Sequence, residues 1–135
     1  MTMKIKSLLI ATALIELPTG AALLVVPSFI SELLLGEALG SAASIVVGRV
    51  AGAALIAIGL ICWRESADIR AGSLAGLLAG LLVYNGTVAL VLVHGAVFKG
   101  IYGVLLWPVV VAHVAFALWC AVQLRHSSAG SGPTP

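Results

Sequence analysis

Apolar residues fall along this chain in four long blocks, at 5–26, 41–63, 71–97 and 101–122, separated by short polar joints. None of the blocks alternates polar and apolar with the period of two that a barrel strand shows. Each is a nearly continuous run of about 20 residues or more, the length a helix needs to cross the hydrocarbon core of a bilayer. The pattern predicts four transmembrane helices. The first follows Lys4 and Lys6 and reads initially as a secretory signal. Its apolar run resumes after Glu16-Leu17-Pro18, however, and exceeds the roughly 7–15 residues of a signal core. Pro18 is expected to bend this helix, because it lacks an N–H and crowds the carbonyl of Leu14. Pro108 is expected to kink the fourth helix near its start.

The joints differ in kind. In 27–40, Phe29, Ile30, Leu33 and Leu34 repeat at helical spacing among Ser28, Ser31, Glu32 and Glu37. This predicts a short helix lying in the membrane interface, too short to span it. Residues 64–70, RESADIR, read as a solvated turn, and Phe98-Lys99-Gly100 as a tight one. From His126 to Pro135 the chain is rich in Ser, Gly and Pro and is expected to be disordered. The expected fold is all-α, a polytopic membrane protein. A single domain, 1–125, holds four transmembrane helices in an antiparallel bundle, with the interfacial helix between the first two.

Composition sharpens this picture. The 135 residues are 61% hydrophobic and 9% charged, where a soluble domain carries about 25% charged residues. So small a soluble protein has no way to hide that much apolar surface. No basic run interleaved with aromatics suggests a nucleic-acid partner. Lys4, Lys6, Arg64, Arg70 and Arg125 fall on one side of the predicted topology and only Lys99 on the other. The excess of Lys and Arg on the cytoplasmic side sets orientation. Both termini are therefore expected in the cytoplasm, with the protein in a bacterial-type inner membrane. Cys62 and Cys120 then lie on the reducing side and read as small apolar residues.

Small residues mark candidate packing surfaces. Gly72, Gly76 and Gly80 form a ridge on the third helix, and Ser44, Gly48 and Gly52 one on the second. Small residues four apart let helix backbones approach closely. The two helices are consecutive, so the ridges are expected to pack on each other. The rival reading makes one ridge a dimer seam.

Each span also carries one strongly polar residue near mid-membrane: Glu16, Arg49, Asn85 and His113. A cation buried in hydrocarbon costs at least roughly 2.5–3.5 kcal/mol, and Glu16 is the expected partner of Arg49. Thr12 and Thr19 flank Glu16 on its face, and Tyr84, Thr87 and His94 form a second polar stripe on the third helix, turned away from Asn85. The four mid-span residues are the candidate site, read either as a binding site or as a network fixing helix register. With a rise of about 1.5 Å per residue, His94 and His113 lie roughly 10 Å or more apart in depth, which argues against a bis-histidine haem. Cysteines and histidines are too scattered for zinc. No nucleophile-base triad, phosphate loop or CxxC is present. Neither metal nor cofactor is expected, and the protein is not expected to be an enzyme.

Two families offer resemblances. Glu16 and Gly20 in the first helix, Pro27 at its far end, and GRVAGAALIAIGL beginning at Gly48 resemble the DoxX-like superfamily of small four-helix bacterial membrane proteins. That resemblance implies a four-helix bundle that can serve as an accessory part of membrane redox or export systems, and it transfers no catalytic residue. The lone glutamate in ALIELPTG is similar in placement to that of the small multidrug resistance transporters. There it would imply a proton-coupled exchanger, a role a permanent Arg49 partner would oppose by holding Glu16 ionised. The expected function is a non-catalytic accessory subunit or lipid- or quinone-contacting module. Its partners would be membrane lipids and either another membrane subunit or a second copy of this chain. The alternative is a small dimeric proton-coupled transporter with Glu16 as the coupling carboxylate.

Overall fold

The computed structural model describes residues 2–68 and 71–129, with side chains over 4–68 and 74–126. It is all-α, with α1 at Thr2–Val25, α2 at Pro27–Leu35, α3 at Ala42–Ala67, α4 at Ala71–Lys99 and α5 at Leu106–Ala129. All except α2 are long and apolar enough to cross a membrane. The chain is thus a multi-pass membrane protein by length and composition.

The helix ends have local causes. α1 passes through Pro18 as a single helix, and Pro27 then opens α2 at the position where a missing N–H costs nothing. Gly36 closes α2 in a left-handed conformation, φ +80°, with its N–H donated to the Glu32 carbonyl. A serine pair starts α3: the Ser44 N–H donates to Ser41 Oγ and the Ser41 N–H to Ser44 Oγ, satisfying two groups that a helix start leaves open. α3 continues through Arg64 and Glu65 to Ala67, so much of the expected RESADIR turn is helical; residues 69 and 70 lie outside the described residues.

The last span differs most from expectation. Gly100, at φ +66°, ends α4, and the backbone stays irregular until Leu106. Pro108 therefore falls in the first turn of α5, where it breaks no helical bond, rather than inside a span where it would kink one. α5 then runs past residue 122 to Ala129. The segment 126–129, expected to be disordered, is helical, because the helix-favouring stretch through Gln123, Leu124 and Arg125 carries it onward. The rest of the expected disordered tail, 130–135, lies outside the described residues.

The long helices form two close pairs, α1 with α3 and α4 with α5. The ridge on α3 packs on α1, not on α4 as expected. A Cβ at Gly52 would sit 2.7 Å from the Gly20 carbonyl oxygen, and one at Gly20 2.6 Å from that of Gly52. Gly59 lies against Leu17, and Gly48 against Pro27 and Leu39. Partner numbers on α3 fall as those on α1 rise, so the two helices run in opposite directions. Among the described residues, no Cα of α3 comes within 8 Å of one in α4. Among the same residues, nothing lies within 4 Å of a Cβ added at Gly76 or Gly80, and the side-chain surroundings of Gly72 lie outside them. The physical reason is steric. Gly20 on α1 offers α3 a partner with no Cβ, and the nearest backbone wins when packing is driven by close approach rather than by water.

The two pairs meet through side chains. At the end carrying the N-terminus, Leu8 and Leu9 of α1, Cys62 of α3, Leu78 and Leu81 of α4 and Cys120 of α5 form one buried cluster. Both cysteines are free thiols in this core. At the opposite end, Leu34 and Leu35 of α2 pack on Leu92, Ala96, Leu106 and Val110. The Leu105 N–H donates to the Leu33 carbonyl at 2.9 Å, and Gly103 is pressed so closely on the Leu34 carbonyl that any Cβ there would overlap it. α2 thus ties the first pair to the second. Between the tie and the buried cluster the pairs stand apart.

Candidate functional site

The space between the pairs is a cavity of about 820 Å³. Small-molecule sites run to roughly 300–1,000 Å³. Its lining extends along α1 from Thr12 to Leu23, a length of about 16 Å at roughly 1.5 Å per residue. Ile30, Ser31, Leu34 and Leu35 of α2 cover one end. Ser31 is held there by donating its Oγ–H to the Glu37 carbonyl at 2.8 Å. Most of the wall is aliphatic, with Leu23, Val47, Ala51, Leu55, Val88 and Val109 contributing from four helices. Val47 is 68% exposed and Ile15 46% exposed although both line the cavity. The cavity therefore communicates sideways with the exterior, along the part of the chain that is apolar enough to sit in lipid.

Polar groups collect near its other end. Glu16, only 5% exposed, accepts a hydrogen bond on Oε2 from the Tyr84 hydroxyl at 3.2 Å. Asn85 is 2% exposed. Its Nδ2 donates to the Leu81 carbonyl one turn back at 2.8 Å, and its Oδ1 lies 2.8 Å from His113 Nδ1. The His113 ring also meets the Tyr84 ring edge-on, with centroids 5.6 Å apart. Thr12 sits beside this group with its hydroxyl donated to the Leu8 carbonyl, one turn back on α1. A pair from α1 and α4 and a pair from α4 and α5 are thereby joined across Tyr84 into one cluster that faces the cavity.

Three of the four expected site residues, Glu16, Asn85 and His113, come together here. Arg49 does not. Its neighbours Gly48 and Ala51 line the cavity, but Arg49 is exposed on another face of α3, and the partner of Glu16 is Tyr84. The Glu16–Arg49 pair expected from depth alone is corrected on this ground: similar depth does not ensure a shared face, and one residue along a helix turns the side chain by about 100°. The stripe expected of Tyr84, Thr87 and His94 also divides. Thr87 and His94 are exposed, and His94 contacts Phe98, whereas Tyr84 reaches the cavity beside Asn85. The signal that could have found Tyr84 is depth: Glu16 and Tyr84 each stand close to the middle of their helices, α1 at Thr2–Val25 and α4 at Ala71–Lys99.

Among the described residues, no three His, Cys, Asp or Glu side chains converge as a metal site requires. What the arrangement offers is a long apolar chamber with hydrogen-bonding groups near one end and a side opening. No family model, curated protein or solved structure matches the chain.

Proposed function

We propose that this protein is a non-catalytic integral membrane protein that takes a lipophilic molecule from the bilayer and holds it between its two helix pairs. It would act as an accessory or lipid- or quinone-contacting module of a membrane complex, as the DoxX-like resemblance implies. The four long helices form an antiparallel bundle in a bacterial-type inner membrane, with both termini cytoplasmic and α2 lying in the outer interface. The Lys and Arg bias supports that orientation. The observation that carries the binding role is the cavity: about 820 Å³, aliphatic over most of its length, open to the side, with Glu16, Tyr84, Asn85 and His113 gathered near one end.

The test is native mass spectrometry of the protein extracted gently from its own membrane. Wild type should retain one lipophilic adduct per chain. Ala51→Phe and Ala112→Trp, which put bulk into the cavity, should release it while the protein stays folded. A wild type that carries nothing beyond nonspecific lipid, unchanged by either substitution, sinks the proposal. A second polypeptide at fixed stoichiometry identifies the complex it serves.

One observation favours a second reading. Glu16 lines the cavity and Arg49 does not, so the objection that Arg49 would hold the carboxylate ionised falls away. As a small proton-coupled transporter, the protein would lose substrate-driven proton flux on Glu16→Gln with its fold intact. Unchanged flux in that variant excludes this reading.

A further inference from the structure

The cluster near the end of the cavity has a definite hydrogen-bonding polarity. The Leu81 carbonyl can only accept, so Asn85 must present its NH₂ there. That fixes the amide and leaves Oδ1, an acceptor, facing His113 Nδ1 at 2.8 Å. Nδ1 must therefore carry the proton. In a neutral imidazole one nitrogen donates and the other accepts, so Nε2 is left with a lone pair. The Tyr84 hydroxyl gives its one proton to Glu16 Oε2 and keeps its lone pairs. Glu16 has its second oxygen besides. At His113 and Tyr84 the groups still able to bond with a guest are therefore acceptors, whereas Glu16 offers a donor when it is protonated and the Thr19 hydroxyl one elsewhere on the wall. Among the described residues, no Lys or Arg lines the cavity to balance an anionic head, and burying an unpaired charge costs far more than burying a satisfied hydroxyl.

We infer that the cavity is built for a lipophile whose buried head is an uncharged hydrogen-bond donor, the hydroxyl of a long-chain phenol or alcohol, with His113 Nε2 as its principal acceptor. The aliphatic length of the chamber takes the tail, and the head lies against His113 and Tyr84. Carboxylates and phosphate-headed lipids find no cation there. Carbonyl-only or ether-only heads find no donor at His113 Nε2 or the Tyr84 oxygen. This inference rests on the proposed binding role and adds to it the chemistry of the head.

The experiment compares guests of equal tail on the full chain in nanodiscs, by equilibrium dialysis. The probes are para-dodecylphenol, its methyl ether, dodecanoate and dodecylammonium. The phenol should bind about fivefold or more tighter than the ether, the difference expected for one buried hydrogen bond. His113→Phe keeps a ring and removes the acceptor, so it should erase that preference. In wild type labelled with nitrogen-15 at histidine, His113 should show the Nδ1-protonated tautomer, and Nε2 should shift on adding the phenol but not the ether. This last reading needs no variant to fold. Equal binding of phenol and ether overturns the inference while leaving the cavity's binding role intact. Tighter binding of dodecanoate or of dodecylammonium overturns it in favour of a charged head. If no probe binds and Ala51→Phe changes nothing, the binding role fails, and the inference with it.

Discussion

Gly52→Ala adds a single methyl group at the tightest point between α1 and α3. The new Cβ would lie 2.7 Å from the Gly20 carbonyl oxygen, 2.9 Å from Leu23 Cβ and 3.0 Å from the Leu24 nitrogen. Two of these atoms are backbone and the third is fixed to it, so no rotamer change clears the space. Reaching ordinary van der Waals separation, 3.4 Å or more, requires the helices to part by about 0.7 Å locally. A gap of that size forfeits roughly a quarter to a half of the dispersion well of each affected contact. Overpacking of this kind costs typically about 1–3 kcal/mol. Alanine returns about 1 kcal/mol through helix propensity, so the net loss is about 0–2 kcal/mol, and about 1–3 kcal/mol relative to a Gly→Ala change that meets no obstruction. Gly76→Ala is the matched control. Its Cβ meets nothing within 4 Å, and only the propensity difference applies, a gain of up to about 1 kcal/mol. Reversible unfolding in mixed micelles, followed by helical circular dichroism, measures both. If Gly52→Ala is no less stable than Gly76→Ala, the assignment of α1 as the partner of the α3 ridge is wrong.

Other expectations can be checked on the same footing. Tyr84→Phe strips Glu16 of its donor at 3.2 Å and should lower stability by about 1–3 kcal/mol. A double-mutant cycle with Glu16→Gln should give a coupling near about 1 kcal/mol, and purely additive losses would mean the bond contributes nothing. Gly103→Val places a side chain against the Leu34 carbonyl; it should loosen α2 and raise hydrogen exchange at the Leu105 amide, and unchanged protection there would show that α2 is not held by this contact. Arg49→Gln touches neither the cavity nor Glu16 and should change stability by less than about 0.5 kcal/mol. A loss of about 3–5 kcal/mol, the size expected on breaking a buried ion pair, would restore the pairing the structure denies.

The four spans and the short helix between the first two can be read from the sequence because they depend on the length of apolar runs, and length survives in one dimension. Helix ends are harder to read. The span expected from residue 101 begins at Leu106, since Gly100 and Gly103 permit an irregular backbone that no hydropathy average registers. Partner choice is harder still. The ridges on α3 and α4 look equivalent as strings of small residues, and what separates them is Gly20, one more glycine on a helix that happens to approach. Similarly, Glu16 and Tyr84 stand 68 residues apart with no local pattern joining them. Depth matching finds the level of such contacts and says nothing about the face.

The two mid-span charges show what depth does and does not imply. Both Glu16 and Arg49 are unfavourable in hydrocarbon, and pairing them is the simplest guess. But α3 has 26 residues, about 39 Å of helix against a core of about 30 Å. If α3 is centred, its first turn stands about 4–5 Å outside the core. Arg49 falls in the second turn of α3, which begins at Ala42, roughly 10 Å from the helix start, and so only about 6 Å below the boundary. That distance suits a long side chain that lies along apolar surface and lifts its charged end to the interface. The exposed position of Arg49 on α3 is then tolerable without a protein partner. Glu16 has no such escape. The nearer end of α1 is Val25, about 14 Å away along the axis, and the glutamate side chain is short. Glu16 must be satisfied where it is, and Tyr84 does this from across the cavity. Reach sorts the two charges: the longer side chain can leave the hydrocarbon, and the shorter one requires a site built around it.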